Sequence, residues 1–358
     1  MSTEREKALG FVLGAALAVA ATAAHAAGAD DADTRDAPYA KAEQLVDVDH
    51  GRRLNLYCVG VGSPTVVFDA GLGGNTGSWD TVQPAVAQKT RTCSYDRAGL
   101  GFSDPATRPG TSANIVDDLQ RLLRVAGIEP PYILVGHSYG GMNVRLYAYE
   151  HPAEVVGMVL VDPSHEDDEL RAWQIEGEAA KAKWEQANAK SLEAKRQCVA
   201  AAESHRLVLG GALYKQCMPE PVAHWSEALN RVMLRRSAEA SNQRAVLSEE
   251  ESIDTASADE LRAARHSLGT MPMIVLTRSP PPPGPDQTQE QRDELNKLWD
   301  SLHDEIAAES TRGVNLTVPY SRHIIQWDQP QVVIDVILGI LEDARKPAPS
   351  ASTGAGGH

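Results

Sequence analysis

Residues 132–142 read YILVGHSYGGM, the most informative stretch of the chain. Its first four residues form an apolar run typical of a buried parallel strand. A Gly-x-Ser-x-Gly turn follows, and a helix-like segment comes directly after it. Side chains at Gly136 and Gly140 would collide with neighbouring elements in so tight a turn, which holds Ser138 in a strained backbone conformation. The alternative, a glycine-rich helix start with a capping serine, explains fewer of these features. The pattern therefore predicts that the Ser138 hydroxyl projects at the C-terminal edge of a sheet.

Strand-like and helix-like segments alternate on both sides of this stretch, which indicates a mostly parallel sheet with helices on both faces. The first two strands are expected to form an antiparallel hairpin. Eight strands are predicted, over residues 44–49, 53–59, 65–69, 91–96, 132–136, 155–162, 272–277 and 314–318. Helices are predicted over residues 78–89, 112–126, 139–150, 287–308 and 330–344. Between the sixth and seventh strands, residues 165–268 contain only charge-rich helical sequence, which predicts an inserted helical cap.

With these elements in place, the sequence resembles the α/β-hydrolase fold family over most of residues 44–345 apart from the cap. The resemblance rests on Gly-x-Ser-x-Gly, a glycine turn after the third strand, the segment DRAGLGFSD at 96–104, and a histidine before the last helix. It implies a hydrolase core over residues 41–164 and 269–345. The hairpin and the Asp-Arg-x-Gly segment look most like the branch with esterase-like and proline iminopeptidase-like hydrolases.

The resemblance implies a catalytic triad built on Ser138. A serine hydroxyl is a poor nucleophile at neutral pH, so it needs a base and a carboxylate that supports the base. His323 lies where the family keeps its catalytic histidine. Asp162 ends the sixth strand, a position used by some relatives, whereas Asp286 follows the seventh strand, the usual place, only beyond four consecutive prolines. We favour Asp162, because a strand end positions a carboxylate better than a polyproline arm; Asp286 and a plain turn role for Asp162 stay open.

The oxygen that becomes negative during acyl transfer needs two backbone N–H donors. Tyr139, next to the nucleophile, is expected to supply one. The resemblance implies that Leu72 supplies the other, from the turn DAGLGG at residues 69–74. Ala70 stands where the family usually has histidine, a change that leaves the backbone donors in place.

Two other classes of function compete with this interpretation. The glycine turn after the third strand, with Asp96 ending the next strand, imitates a dinucleotide-binding fingerprint and would make the protein an NAD-dependent oxidoreductase. That interpretation leaves Ser138 and His323 unexplained. A non-catalytic binding protein on a hydrolase scaffold is the other class, and the presence of both residues argues against it.

The sequence thus predicts a serine hydrolase that cleaves a carboxylic ester or related acyl bond of a small-molecule substrate through an acyl-enzyme on Ser138. Peptidase, lactonase and thioesterase activities remain open. Ser138 excludes the carboxylate nucleophile expected of an epoxide hydrolase or haloalkane dehalogenase of this fold. No cofactor and no metal are implied. A net charge of −15 disfavours nucleic acid as a partner.

The two ends of the chain differ in composition from the middle. Residues 1–26 resemble a cleaved signal peptide, with an apolar run and a small-x-small site, so the protein is expected to be secreted or periplasmic and without stable membrane insertion after cleavage. An uncleaved anchor is the alternative. Residues 27–40 are predicted to be a flexible segment, and residues 346–358 a disordered tail.

The four cysteines fit an exported protein. Cys58 lies on the second strand and Cys93 on the fourth, which are neighbours in this fold's sheet order, so a disulfide between them is expected. Cys198 and Cys217 both fall in the cap, and a bridge would close a loop there. The alternative is four buried free thiols.

Overall fold

The computed structural model describes residues 34–284 and 287–346, which are organised around one eight-stranded sheet. The strands are β1 Gln44–Asp49, β2 Arg52–Val59, β3 Thr65–Asp69, β4 Thr92–Tyr95, β5 Tyr132–His137, β6 Val155–Val161, β7 Met273–Arg278 and β8 Gly313–Val318. Their order in the sheet is β1-β2-β4-β3-β5-β6-β7-β8. β2 pairs antiparallel with β1 and β4, and the remaining neighbours are parallel. All eight predicted strands are confirmed, and their first and last residues differ from the predicted ones by about one residue at most.

The helices lie on both faces of the sheet and in one long insertion. They are α1 Gln83–Val86, α2 Ser112–Val125, α3 Tyr139–Glu150, α4 Asp168–Glu176, α5 Glu178–Glu203, α6 Ala212–Cys217, α7 Glu227–Ser237, α8 Ala240–Ser252, α9 Ala256–Ala264, α10 Gln289–Ala307, α11 Ile325–Asp328 and α12 Pro330–Ala344. The helix predicted over 78–89 is instead a 3₁₀ turn, Thr76–Trp79, followed by α1. Pro84 is the physical reason, because it lacks an N–H and can stand only in the first turn of a helix.

Both faces of the central strands are buried. On β5, Leu134 packs into the cluster that includes α2 and α3, whereas Ile133 and Val135 pack into the cluster that includes α12. A strand buried on both faces carries a continuous apolar run, which is why β5 reads as it does in the sequence. Because β5, β6 and β7 are parallel neighbours, their C-terminal ends lie side by side at one edge of the sheet.

The helical insertion, residues 165–268, contains α4 to α9 and no strand within its described residues, as the sequence predicts. A disulfide joins Cys198 to Cys217 and so ties α5 to α6. A second disulfide joins Cys58 on β2 to Cys93 on β4, directly opposite each other in the sheet register. Both predicted cysteine pairs are therefore present.

One prediction about the N-terminal part needs correction. Residues 34–40, within the predicted flexible segment 27–40, form helical turns against the helical insertion. The buried Asp36 carboxylate accepts hydrogen bonds from the backbone N–H and the hydroxyl of Ser226, both at 2.7 Å, and Tyr39 is 1% exposed. The partner lies 190 residues away in the chain, so local composition gives no sign of it.

The predicted signal peptide and most of the predicted tail lie outside the described residues. Within 34–284 and 287–346, no helix is both long enough and apolar enough to cross a membrane.

Candidate active site

Ser138 lies between β5 and α3 with φ 52° and ψ −120°, the strained backbone that the sequence predicts for it. A Cβ on Gly136 would stand 2.4 Å from the carbonyl oxygen of Gly140, and one on Gly140 would stand 2.3 Å from that of Asp69. Neither position has room for a side chain. The strand-to-helix turn is therefore as sharp as the motif requires, and Ser138 stays partly exposed at the sheet edge.

His323 and Asp162 meet at the same edge. Asp162 follows β6 with φ 43° and is fully buried, and its Oδ2 lies 2.6 Å from Nδ1 of His323. The His323 side chain, between β8 and α11, remains 46% exposed. Its backbone carbonyl accepts a hydrogen bond from Nε2 of His137 at 3.0 Å. Because His137 precedes Ser138, this contact holds the His323 loop against the nucleophile turn.

Three further donors surround the Asp162 carboxylate. Oδ1 accepts from the backbone N–H of Arg278 at 3.1 Å and from the Trp299 indole N–H at 2.9 Å. Oδ2, which faces His323, also accepts from Nη1 of Arg278 at 2.7 Å. Both carboxylate oxygens are thus held in place. Asp286, the alternative acid, lies outside the described residues.

The charges around this carboxylate fix its protonation. Burial alone would raise the pKa of Asp162, but the hydrogen bond to His323 and the Arg278 guanidinium outweigh it and hold that pKa well below its usual range. Burial lowers the pKa of His137 to about 3, so this imidazole is neutral at physiological pH. The site therefore contains one ionised carboxylate, beside the exposed imidazole of His323.

The turn after β3, with the predicted donor Leu72, lies against Ser138. A Cβ on Gly71 would stand 3.3 Å from Cβ of Ser138. The backbone N–H groups of Leu72, in this turn, and of Tyr139, the first residue of α3, are the two donors that the sequence predicts for an oxyanion.

A buried ion-pair network clamps that turn. Arg97 donates to the carbonyls of Ala70 at 2.6 Å and Gly71 at 2.7 Å and pairs with Glu249 on α8 at 2.6 Å. Glu249 also accepts from the backbone N–H of Gly73 at 2.8 Å. The turn on both sides of Leu72 is therefore held by a residue of the core and a residue of the helical insertion.

Tyr139, the other predicted donor, is anchored in a similar way. Its phenol donates to the carbonyl of Gly110 at 2.6 Å and lies 2.8 Å from the Ser257 hydroxyl on α9. The backbone N–H of Gly110 in turn donates to the Ser248 hydroxyl on α8. The helical insertion thus contacts the supports of both donors.

The residue that would hold a ribose in the dinucleotide interpretation is used elsewhere. Asp96 is fully buried, and its carboxylate accepts from the backbone N–H groups of Thr76 at 2.7 Å and Phe102 at 2.9 Å and from the Asn55 amide at 2.9 Å. Its bonds hold the loops after β3 and β4 together. This carboxylate therefore has a structural role in the fold.

Sequence reasoning missed four residues at this site. Arg278 carries a usable signal, because a basic residue ends β7, directly before the place where the family usually has its acid. Trp299, Glu249 and Ser257 carry none, since each lies on an ordinary amphipathic or polar helix and gains its role only through contacts distant in the chain. Within the described ranges, no group of three or more His, Cys, Asp or Glu side chains is placed to hold a metal ion.

Comparison with known proteins agrees with this architecture. The family model described as the alpha/beta hydrolase fold matches residues 64–258, so the chain belongs to that family. It is 25% identical to the uncharacterized protein YqjL of Bacillus subtilis strain 168 over 269 residues, 75% of this chain and 80% of YqjL. It is also similar to an AB hydrolase superfamily protein of Gibberella zeae, 36% identical over 107 residues, which span 29% of this chain and 33% of that protein.

Among solved structures, the chain is similar to that of a probable hydrolytic enzyme from Pseudomonas aeruginosa PAO1. The TM-score is 0.58 and the sequences are 20% identical, with 84% of this chain and 93% of the other covered. A likeness at this level of identity shows that the two proteins share a fold, and it does not identify the reaction.

Proposed function

We propose that this protein is an exported serine hydrolase that cleaves a carboxylic ester or related acyl bond through an acyl-enzyme on Ser138. The observation that carries the proposal is the strained Ser138 backbone, at the end of β5, beside the His323–Asp162 pair. A carboxyl-paired imidazole at the same sheet edge as a partly exposed serine on a strand-to-helix turn is the arrangement that nucleophilic acyl transfer requires.

Each residue has a defined task in this reaction. His323 takes the proton of the Ser138 hydroxyl as oxygen attacks the acyl carbon, and later returns it to the leaving alcohol. Asp162 accepts from Nδ1 of His323, so Nε2 is the nitrogen left to act as the base. The backbone N–H groups of Leu72 and Tyr139 stabilise the oxyanion of the tetrahedral intermediate. Attack of water on the acyl-enzyme, with the same base, completes hydrolysis.

The nucleophile separates this proposal from other reactions on the fold. A covalent mechanism that opens an epoxide or displaces a halide uses a carboxylate at the elbow, and this chain has Ser138 there. Peptidase, lactonase and thioesterase activities use the same triad and are alternatives. A cavity of about 420 Å³ lies between residues 105–110 and α8, but neither Ser138 nor His323 lines it, so we assign the acyl group elsewhere.

Export is part of the proposal. The two disulfides support it, because such bonds persist in oxidising compartments and are rare in the cytosol. A secreted or periplasmic location also fits the sequence of residues 1–26.

A fluorophosphonate probe tests the proposal without knowledge of the natural substrate. The probe should label Ser138 and no other serine, and Ser138→Ala should abolish both labelling and hydrolysis of 4-nitrophenyl esters of graded acyl length while circular dichroism shows an intact fold. An aminoacyl arylamide panel run in parallel distinguishes the peptidase alternative. Hydrolysis by the alanine variant at the rate of the unmodified protein would reject the assignment of the nucleophile.

A further inference from the structure

Arg278 lies where the chain departs most clearly from the expected family pattern. It is the last residue of β7, the strand after which most relatives are expected to place the acid, and here it supplies a guanidinium. Nη1 lies 2.7 Å from Oδ2 of Asp162, the oxygen that also accepts from His323. The same carboxylate oxygen therefore serves both a permanent cation and the imidazole of the base.

The guanidinium is held rigidly in this position. Its carbon lies 4.2 Å from the centre of the Trp299 ring, a cation–π arrangement, and the Trp299 indole N–H itself donates to Oδ1 of Asp162. The Arg278 side chain is only 21% exposed, so water screens its charge weakly. Arg278 and Trp299 thus form one stacked unit that fixes the direction of the carboxylate.

We propose that Arg278 is a positioning residue of the triad, which orients the Asp162 carboxylate toward His323. The inference rests on the proposed function. The guanidinium and the imidazole contact the same carboxylate oxygen, so removal of this fixed positive charge should change how the reaction rate depends on pH.

Other titratable groups face the Asp162–His323 pair, and their effects on the pH dependence have to be distinguished from that of Arg278. They are His137 on β5, Asp168 on α4, and Asp300 and His303 on α10. Burial lowers the pKa of His137 to about 3 and of His303 to about 4, so both imidazoles are neutral above pH 5. Burial raises the pKa of Asp168 to about 6, and the pKa of Asp300 is raised as well. Asp168 is therefore a carboxyl group near the pair that titrates within the range from pH 4 to 9.

The experiment measures the rate of fluorophosphonate labelling of Ser138 between pH 4 and 9. Arg278→Met removes the charge and keeps an apolar chain over Trp299; its acid limb should move up by about one pH unit, with a maximal rate lower by about tenfold. Arg278→Lys keeps the charge but not the planar pairing, so its maximal rate should fall while the acid limb stays. Arg312→Met, which removes a surface arginine paired with Asp343, should match the unmodified protein.

Several outcomes overturn the inference. An unmoved acid limb in Arg278→Met, or the same shift in Arg278→Lys, would mean that the charge has no such effect. An acid limb that disappears in Asp168→Asn would assign the titration to that carboxyl. Loss of the labelling rate in Arg278→Met explained fully by a lower melting temperature would leave only a structural role.

A second readout keeps the inference separate from the proposed function. NMR follows the titration of the His323 imidazole and the low-field resonance of its Nδ1 proton, and both should shift in Arg278→Met whether or not Ser138 reacts. If the probe fails to label Ser138 in the unmodified protein, the proposed function is wrong. If Ser138 reacts but neither the acid limb nor the imidazole titration moves, only the role of Arg278 is rejected.

Discussion

The two sides of the candidate site rest on different parts of the molecule. On the acid side, Asp162 is held by Arg278 at the end of β7 and by Trp299 on α10, both in the sheet core. On the oxyanion side, the turn that carries Leu72 is bound by Glu249 on α8 of the helical insertion. The acid side is therefore held by core residues alone, whereas the turn with Leu72 is held jointly by Arg97 of the core and by the insertion.

This difference gives the helical insertion a role in holding the turn at Gly73. A shift of α8 would break the Glu249 contacts with Gly73 and Arg97 while leaving the Asp162–His323 pair unchanged. We expect the oxyanion donors to lose their geometry first when the insertion loosens. Loosening of the insertion should therefore lower activity through the turn with Leu72, whereas substitutions around Asp162 should lower activity even when the insertion is firmly docked.

The largest effect is expected on the acid side. Asp162→Asn should lower turnover by about 10⁴-fold, because the amide no longer supports the His323 tautomer and imidazolium that reaction needs. Asp286→Asn serves as the matched control and should retain most of the activity. Steady-state kinetics on one ester substrate measures both. If Asp286→Asn causes the larger loss, the choice of Asp162 as the acid is wrong.

The next largest effect concerns the disulfide in the helical insertion. Cys198 and Cys217 close a loop with a sequence separation of 19, and removing the bridge by serine substitution should destabilise the insertion by about 3 kcal/mol on the chain-entropy model. Activity should then fall at denaturant concentrations that leave the sheet folded, as measured by kinetics and near-ultraviolet circular dichroism.

Removing the Cys58–Cys93 bridge should instead lower the melting temperature with little change in activity under native conditions. Free-thiol titration of the unfolded, unreduced protein provides the reference, and four reactive thiols would contradict both bridges.

Glu249→Gln tests the oxyanion side directly. Loss of the carboxylate leaves Arg97 without one of its two buried anionic partners and weakens the hold on Gly73, so kcat should fall by about 50-fold with KM little changed. Glu251→Gln, on the same helix and in a surface pair with Arg196, is the control and should behave as the unmodified protein. Equal losses in the two variants would show that the effect comes from α8 as a whole.

The smallest expected effect is a loss of folding stability at low pH, caused by Glu166 at the start of the insertion. Burial opposes ionisation of Glu166, but its ion pair with Arg145, at 2.8 Å, outweighs this and lowers the pKa of Glu166 to about 2. A lowered pKa stabilises the fold above the unfolded value of 4.5, and this contribution is lost as pH falls towards 2. Between pH 5.5 and 3, the free energy of unfolding should decrease by about 2 kcal/mol through this group.

Urea denaturation at several pH values measures this loss. Glu166→Gln should lack that part of the pH dependence, although it is less stable at pH 7 because Arg145 loses a partner. Glu305→Gln removes a surface pair with Arg171 and should keep the full dependence. An identical pH dependence in all three proteins would contradict the assignment to Glu166.

Prediction from sequence succeeded where the signal is local. The apolar run of β5 and the glycines of the strand-to-helix turn each lie within a few residues of the backbone feature that they specify. The helix over 78–89 was wrong because Pro84 limits it, and residues 34–40 were wrong because Asp36 bonds to Ser226, far along the chain. A local sequence pattern indicates the backbone conformation of a segment, but it does not indicate which distant residues the segment contacts.

The amino-acid sequence was enough to predict the sheet and to place a serine at the strand-to-helix turn, since hydrophobic periodicity and glycine geometry are properties of short segments. It left the acid open between Asp162 and Asp286. Only the tertiary structure brought Arg278 to Asp162 and Glu249 to the turn at Gly73. Those contacts depend on how β7 and α8 pack on the core. A buried charge is stabilised only by a partner within bonding distance, and the spacing of two residues along the chain does not specify that distance.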